Sequence, residues 1–562
     1  MTPLTSIRNL HHRYLWLLVV PVLLAAPALS AVRPEPAAGR DQLVIGISQE
    51  PDFLNPLFAG MAASAAVLAT IFAADVERDE DWKIFPQGVE FLPSLKDGTW
   101  KVSGDRMTVV WRLKPRRWHD GRPVTCGDYV FTHALARDDR VPVTVRDLTK
   151  RIAVVECPKG SAGTDIVVRW KERYAYANLT ITEYGALPRH ILEQYYRRNP
   201  AKLDEAPYGN DPAATIGDGP YRLTEWRKGT TITVVSAGAH PIFGTPRIKR
   251  ITWRIIPDTN ALVVNMLSGA IDAITSVGIS FDEAVELESK ARGQVNVFFA
   301  PGLVWEHIDF NLDNPFLRDA RVRRAIAYGI NREQIVQQLF GGRQPVSHTY
   351  LPPLHPGYTG DVETYPHDPA RARALLREAG YALGPDGVLR NAAGARLSLE
   401  INTTAGNRVR EQIEQIIQQN LRQLGIELTI LNFLARVLFG DVTGKRKFKG
   451  LVMYSWVLAP TSDCDQLYTS DGIPAKSNGW NGQNYPGYRN AEMDRLCKAA
   501  SRELDESARN RLLRQTAQIL ARDLPVLPLY FRVRVGAAKV GLQKFTLRGL
   551  NEMWNVHQWY WE

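Results

Sequence analysis

The sequence predicts an α/β protein of two lobes, the first interrupted by a β-rich insertion. Three observations carry this. RITWRIIPDTNALVVNMLSGAIDAITS (250–276) runs strand, helix, Gly269, strand, the signature of a βαβ unit. RLSLEINTT (396–404), RVREQIEQIIQQNLRQLG and IELTIL repeat that order, with Val409, Ile413, Ile416, Ile417, Leu421 and Leu424 on one helical stripe and Gly425 closing it. GTWKVSGDRMTVVWRLKPRRWHDG (98–121), IAVVECPKG and TDIVVRWK are instead short alternating runs between turn residues. A chain of 562 residues with 45% apolar content is too long for one compact unit, so two or three domains are expected.

Each element follows in order. Arg8 and Arg13 precede YLWLLVVPVLLAAPALSA, which ends in the small residues Ala26, Ala28, Ser30 and Ala31. This predicts a secretory signal peptide over 1–31, cut between Ala28 and Ala31. The alternative is an uncleaved anchor. Pro21 and the short apolar span argue against it, because a spanning helix needs roughly 20 apolar residues. No cysteine near the cut offers a lipid-attachment site. DQLVIGIS (41–48) alternates as a strand, QEPDFLNPLFAG is a Pro/Asn-rich loop, and MAASAAVLATIFAAD is a helix of small residues. Thr125 and Asp128 cap a helix in PVTCGDYVFTHALAR, and ALPRHILEQYYRRNP is a helix stopped by Pro200. GDGPYRLTEWRKGTTITVVS (217–236) gives a turn and two strands.

DNPFLRDARVRRAIAYGINREQIV (313–336) poses the sharpest functional choice, since its five arginines suggest a DNA-gripping helix-turn-helix. Val322, Ala325, Ile326 and Gly329 form an apolar stripe, which places Arg321, Arg323 and Arg324 in solvent. Asn331 and Gln334 start a second helix that buries Ile335, Val336, Leu339 and Phe340 and ends at Gly341-Gly342. Export and this packing together point to scaffold and away from nucleic acid. The net charge of +10 is thinly spread, and its densest run, GKRKFKG (444–450), reads as a solvated loop. Four cysteines in an exported chain suit two disulfides. Three pairings are possible, of which nearest-neighbour pairing (126–157, 464–497) is the simplest. Without a CxxC, metal binding is the weaker reading.

No GxSxG, HExxH, Walker A or strand-borne GxGxxG occurs, and WHDG (118–121) reads as a turn between strand and helix rather than an acid/base pair. Binding signals are stronger. WEHIDFNL (305–312) puts Trp305, His307, Asp309 and Asn311 on one face, which suits either a wet cleft or an edge strand facing bulk water. SWVLAPTSDCDQLYTSDGIPAKSNGWNGQNYPGY (455–488) mixes aromatic rings with carboxylates and amides, a lining for a ligand with apolar groups and an ammonium.

EPDFLNPLF, WRLKPRRWHDGRPVTCGDYVF, GDGPYRLTEWRKG, DNPFLRDARVRRAIAYGINREQIV, HDPARARALLREAGY, NYPGYRNAEMDRL and DLPVLPLYF resemble, in order, the extracytoplasmic solute-binding proteins of family 5, which serve dipeptide and oligopeptide ABC importers. The resemblance covers nearly all of the chain after residue 41. It implies a two-lobed periplasmic-binding-protein fold of type II. Lobe I would comprise 42–76, 186–298 and 529–562, the β-rich insertion 77–185, and lobe II 299–528. Connections near 298–304 and 526–532 would act as hinges. It implies a monomer that captures a peptide or other small polar solute by lobe closure in the periplasm. That solute would pass to an ABC permease and its ATPase, with no cofactor, no metal and no catalysis. Alternatives are a nickel complex, a sugar or an opine-like compound on the same fold, a non-transport scaffold or chaperone, and an exported hydrolase. The candidate ligand contacts are Asn55, Trp305, His307, Trp456, Asp463, Asp465, Trp480, Asn481 and Tyr485. One departure stands out. The family acid that holds a peptide's amino terminus falls at Ala459, in Trp456-Val457-Leu458-Ala459. Losing one partner of a desolvated charge pair costs roughly 2–5 kcal/mol. Either Asp463 or Asp465 therefore substitutes, or the ligand lacks an α-ammonium there.

Overall fold

The computed structural model describes residues 40–562 apart from 144, 460, 462 and 463, together with the backbone but not the side chains of 465 and 466. The signal peptide expected over 1–31 lies outside the described residues.

One ten-stranded sheet organises the chain. Its order is Glu427–Ile430, Ser398–Asn402, Leu451–Val457, Val295–Phe310, Val526–Lys539, Ala273–Ile274, Gln42–Ile47, Arg250–Ile255, Thr231–Ser236 and Tyr221–Arg227. Both expected βαβ units are present. Gln42–Ile47 sits parallel between Arg250–Ile255 and Ala273–Ile274, and Ser398–Asn402 runs parallel to Glu427–Ile430. The two halves of the sheet are joined by the two long central strands, which pair antiparallel with each other. The crossings between lobes are thus continuous strands rather than loops.

Each lobe has its own core. In the first, Leu43, Ile45, Ile47, Trp253 and Trp559 pack with the helix Ala62–Ile71. In the second, Ile308, Phe310 and Leu399 pack under the helices Ala320–Gly329, Arg332–Phe340 and Arg408–Arg422. Burying such side chains contributes about 1.5–3 kcal/mol each. A four-stranded antiparallel sheet of Trp100–Ser103, Arg106–Arg112, Asp165–Trp170 and Ile152–Glu156 carries a third core, built on Trp100, Trp111, Trp118 and Trp170. Its helix Cys126–Arg137 has the expected Thr125–Asp128 capping box. WHDG forms the expected turn, Gly121 N–H donating to Trp118 O at 2.8 Å. The insertion is tied to lobe I by a buried network in which Arg116 Nε donates to Asp218 Oδ2 at 2.6 Å and Nη2 to the Tyr129 hydroxyl at 2.9 Å. It also touches lobe II. Ala175 N–H donates to Ser501 O at 3.1 Å, Arg509 lies over the Tyr176 ring at 4.6 Å, and Arg502 pairs with Asp105 at 2.5 Å. The disulfides are Cys126–Cys157 and Cys464–Cys497.

The arginine-rich segment folds as two helices with the expected Asn331 cap, whose side chain accepts from Gln334 N–H at 2.9 Å. Arg321 is exposed beside Asp319. The expectation for Arg323 is corrected, because it is buried. Its guanidinium donates to the carbonyls of Leu317, Arg318, Asp523 and Leu524 at 2.6–3.0 Å, gathering the end of the helix Glu506–Asp523. Arg332, also buried, donates to Ser347 O, Pro528 O and Tyr365 O. The basic run 444–450 is neutralised locally: Lys445 and Lys447 pair with Asp441, Arg446 with Asp313 and Lys449 with Glu400.

Candidate functional site

The two central strands lose register between Pro301 and Val304 and again between Glu306 and His307. Such irregularities re-aim side chains and interrupt pairing. At the first, Gly302 is required by contact, since a Cβ there would sit 2.5 Å from Arg532 O.

Around this crossing opens a cavity of about 590 Å³. Its lobe I wall is the open face of the helix Ala62–Ile71, the Ser276–Phe281 segment and Leu550–Glu552. Gly302–Val304 and Arg532–Val535 form the floor, and Gln344 and Val457 approach from lobe II. The size falls within the range of small-molecule sites, and apolar walls with few polar groups are usual there. Gln344 Oε1 accepts from Val533 N–H at 2.8 Å. Glu552 accepts from Ser276 N–H at 3.0 Å and from the Ser276 hydroxyl, while burial pushes its carboxyl above the usual range. Arg534 Nη1 donates to Gly549 O at 2.8 Å and Leu547 O at 3.3 Å. A smaller recess of about 250 Å³ shares Ala65 and Asn551 with the cavity and reaches Glu77 and His557. Burial pushes Glu77 up to about 7 and His557 down to about 4.

Of the sequence-derived contacts, the structure brings Trp456 and Tyr485 together. Their rings stack at 6.1 Å and 24°, with Tyr454 edge-on to Trp456 at 5.4 Å. Both are half-exposed on lobe II, and neither lines the cavity. Trp305 and His307 are corrected: they are fully buried and stacked on each other at 4.1 Å. From 305 to 310 their strand is neither an edge nor a wet wall. It lies between Leu451–Val457 and Val526–Lys539, and Tyr350, Leu458, Tyr468 and Leu513 cover its Trp305 face. On that face Asp309 accepts from the Tyr454 hydroxyl at 2.6 Å, and Asn311 donates to Phe448 O. Asn55 is likewise corrected to a buried position. Its Oδ1 accepts from Leu57 N–H at 3.2 Å, and Gly209 packs directly against it. Trp480 and Asn481 are exposed on a turn, where Trp480 N–H donates to Ala475 O, and neither lines the cavity. Asp463 lies outside the described residues. Asp465 begins a short helix, Asp465–Tyr468, and its side chain is not among those described.

Arg532, Arg534, Glu552, Ser276 and Gln344 were missed by sequence reasoning. Only the i, i+2 arginines in FRVRVGAAK could have signalled a polar face on the last long strand.

Two lobes joined by paired crossing strands, with a cavity at the crossing, define a two-lobed ligand receptor. Among such receptors, the chain belongs to the bacterial extracellular solute-binding proteins of family 5, whose model for the middle region matches residues 90–478. That is a family of binding proteins rather than enzymes. The chain is 26% identical over 530 residues to the oligopeptide-binding protein AppA of Bacillus subtilis, covering 94% of this chain and 92% of the relative. It is 27% identical over 532 residues to the glutathione-binding protein GsiB of Salmonella choleraesuis, covering 93% and 95%. The fold matches the oligopeptide-binding protein of Thermus thermophilus complexed with a pentapeptide, with TM-score 0.70, 30% identity and coverage of 93% of this chain and 96% of that one. Among the described residues, no helix is long and apolar enough to cross a membrane.

Proposed function

We propose that this chain is the periplasmic receptor of a peptide ABC importer. It captures di- or oligopeptides in the cavity at the crossing strands and delivers them to a membrane permease and its ATPase. In this reading the receptor is a monomer, released by cleavage of its signal peptide. Residues 42–76, 186–298 and 529–562 form lobe I, 77–185 the insertion and 299–528 lobe II. The observation that carries the reading is a cavity of about 590 Å³ with mostly apolar walls and a few polar groups, at the junction of two lobes. The relatives support it, since the Thermus protein was solved with a pentapeptide and AppA of Bacillus subtilis with a nonapeptide. Trp456 and Tyr485, stacked and half-exposed on lobe II, are proposed to supply flat apolar contact for side chains once the lobes close. Asp463 and Asp465 are the acids proposed to replace the one missing at Ala459.

Closure over a ligand is a hinge transition that stabilises the folded state by mass action. At a ligand concentration about 100 times Kd the gain is about 2.7 kcal/mol. A library of di- to hexapeptides is expected to raise the melting temperature, and the responding members to contract the scattering envelope. No shift with any peptide would remove the peptide assignment.

A further inference from the structure

We infer that Arg532 is the anion anchor of the cavity and takes the ligand's carboxylate. This rests on the peptide reading above. The other charged groups that line the cavity already have partners. Arg534 braces the carbonyls of Leu547 and Gly549, and Glu552 holds Ser276. Arg410 Nε lies 2.6 Å from Glu306 Oε1, and Arg343 Nη2 lies 2.6 Å from Glu288. Arg532 is exposed within the cavity, and no hydrogen bond or ion pair among the described residues engages its guanidinium.

An arginine keeps its charge at any relevant pH and presents a planar fork that matches a carboxylate with two parallel hydrogen bonds. The place of Arg532 on the strand is fixed by the Val304–Arg532 pairing and by the close approach of Gly302 to its carbonyl. The site would thus favour peptides with a free C-terminal carboxylate over those whose C-terminus is neutral. Because Arg532 belongs to a crossing strand common to both lobes, it can hold the ligand before they close.

The test uses the mature chain and a randomised pentapeptide library, half free acids and half C-terminal amides. Retained peptides are read by mass spectrometry. A hydrogen bond to a charged partner corresponds to roughly ten- to hundredfold in affinity. The wild type is therefore expected to enrich acids at least about tenfold over amides. Arg532→Gln is expected to abolish the enrichment, and Arg532→Lys to restore part of it. The side chain has no described partner, so neither change removes a folding contact, and an unchanged melting temperature without ligand checks this. Equal retention of acids and amides by the wild type overturns the inference alone. So does undiminished acid enrichment in Arg532→Gln. Retention of no peptide by the wild type overturns the peptide reading, and the inference with it.

Discussion

Lobe II and the crossing strands use the same residue type in opposite ways. In lobe II, Arg323 and Arg332 are buried with their donors turned onto backbone carbonyls, four for the first and three for the second. At the crossing, Arg532 is exposed and unengaged among the described residues. The difference teaches that an arginine's role follows from the acceptors around it. Where chain ends converge and leave carbonyls unpaired, the guanidinium becomes a structural tie. Where none converge, it is left for a ligand.

Substitutions can break this contrast. Arg332→Met should cost the most, about 3–5 kcal/mol in urea unfolding, by leaving three buried carbonyls unpaired. Burial pushes the Arg332 pKa down to about 10, so the group stays charged at neutral pH and its removal is not mimicked by mild alkali. The acid-over-amide preference should be unchanged in that variant, because Arg332 does not line the cavity. Opening the Cys464–Cys497 loop by a double Cys→Ala change should cost about 3.7 kcal/mol, given the separation of 33 residues.

Buried acids sharpen the comparison. Glu414 is fully buried with one oxygen accepting from Asn432 and the other unpartnered, and burial pushes it up to about 7. A raised carboxyl binds its proton more tightly in the folded state. Stability should therefore fall as pH rises from about 4.5 to about 7. Glu414→Gln should remove that loss, stabilising the protein by on the order of 2 kcal/mol at pH 8 and by little at pH 4. A melting-temperature series against pH would show it, and a gain of equal size at both pH values would refute the assignment. The smallest effect belongs to Lys447→Ala. Its exposed pair with Asp441, which Lys445 also holds, should leave the melting temperature nearly unchanged when removed.

Much of the fold was legible. The βαβ units, the Asn331 and Thr125 caps and the turn at WHDG all follow from local periodicity and capping chemistry. The burial of Arg323 was not, because its partners at Asp523 and Leu524 lie about 200 residues away and helical periodicity sees only one helix. The alternation of WEHIDFNL was read correctly as a strand, but its place between two others depends on pairing with Val526–Lys539, which no local pattern shows. The cavity fared worst. Its walls come from stretches spread between Ala62 and Glu552, and among the described residues none of those picked by composition lines it.

The contact of the insertion with residues 501–509 has a further consequence. A body held at its crossing strands and at a second, separate place cannot swing about the first without letting go of the second. Parting the lobes must uncouple Ala175 from Ser501 and lift Arg509 off Tyr176. In the proposed hinge cycle, opening would have to break these contacts as well as bend the crossing strands.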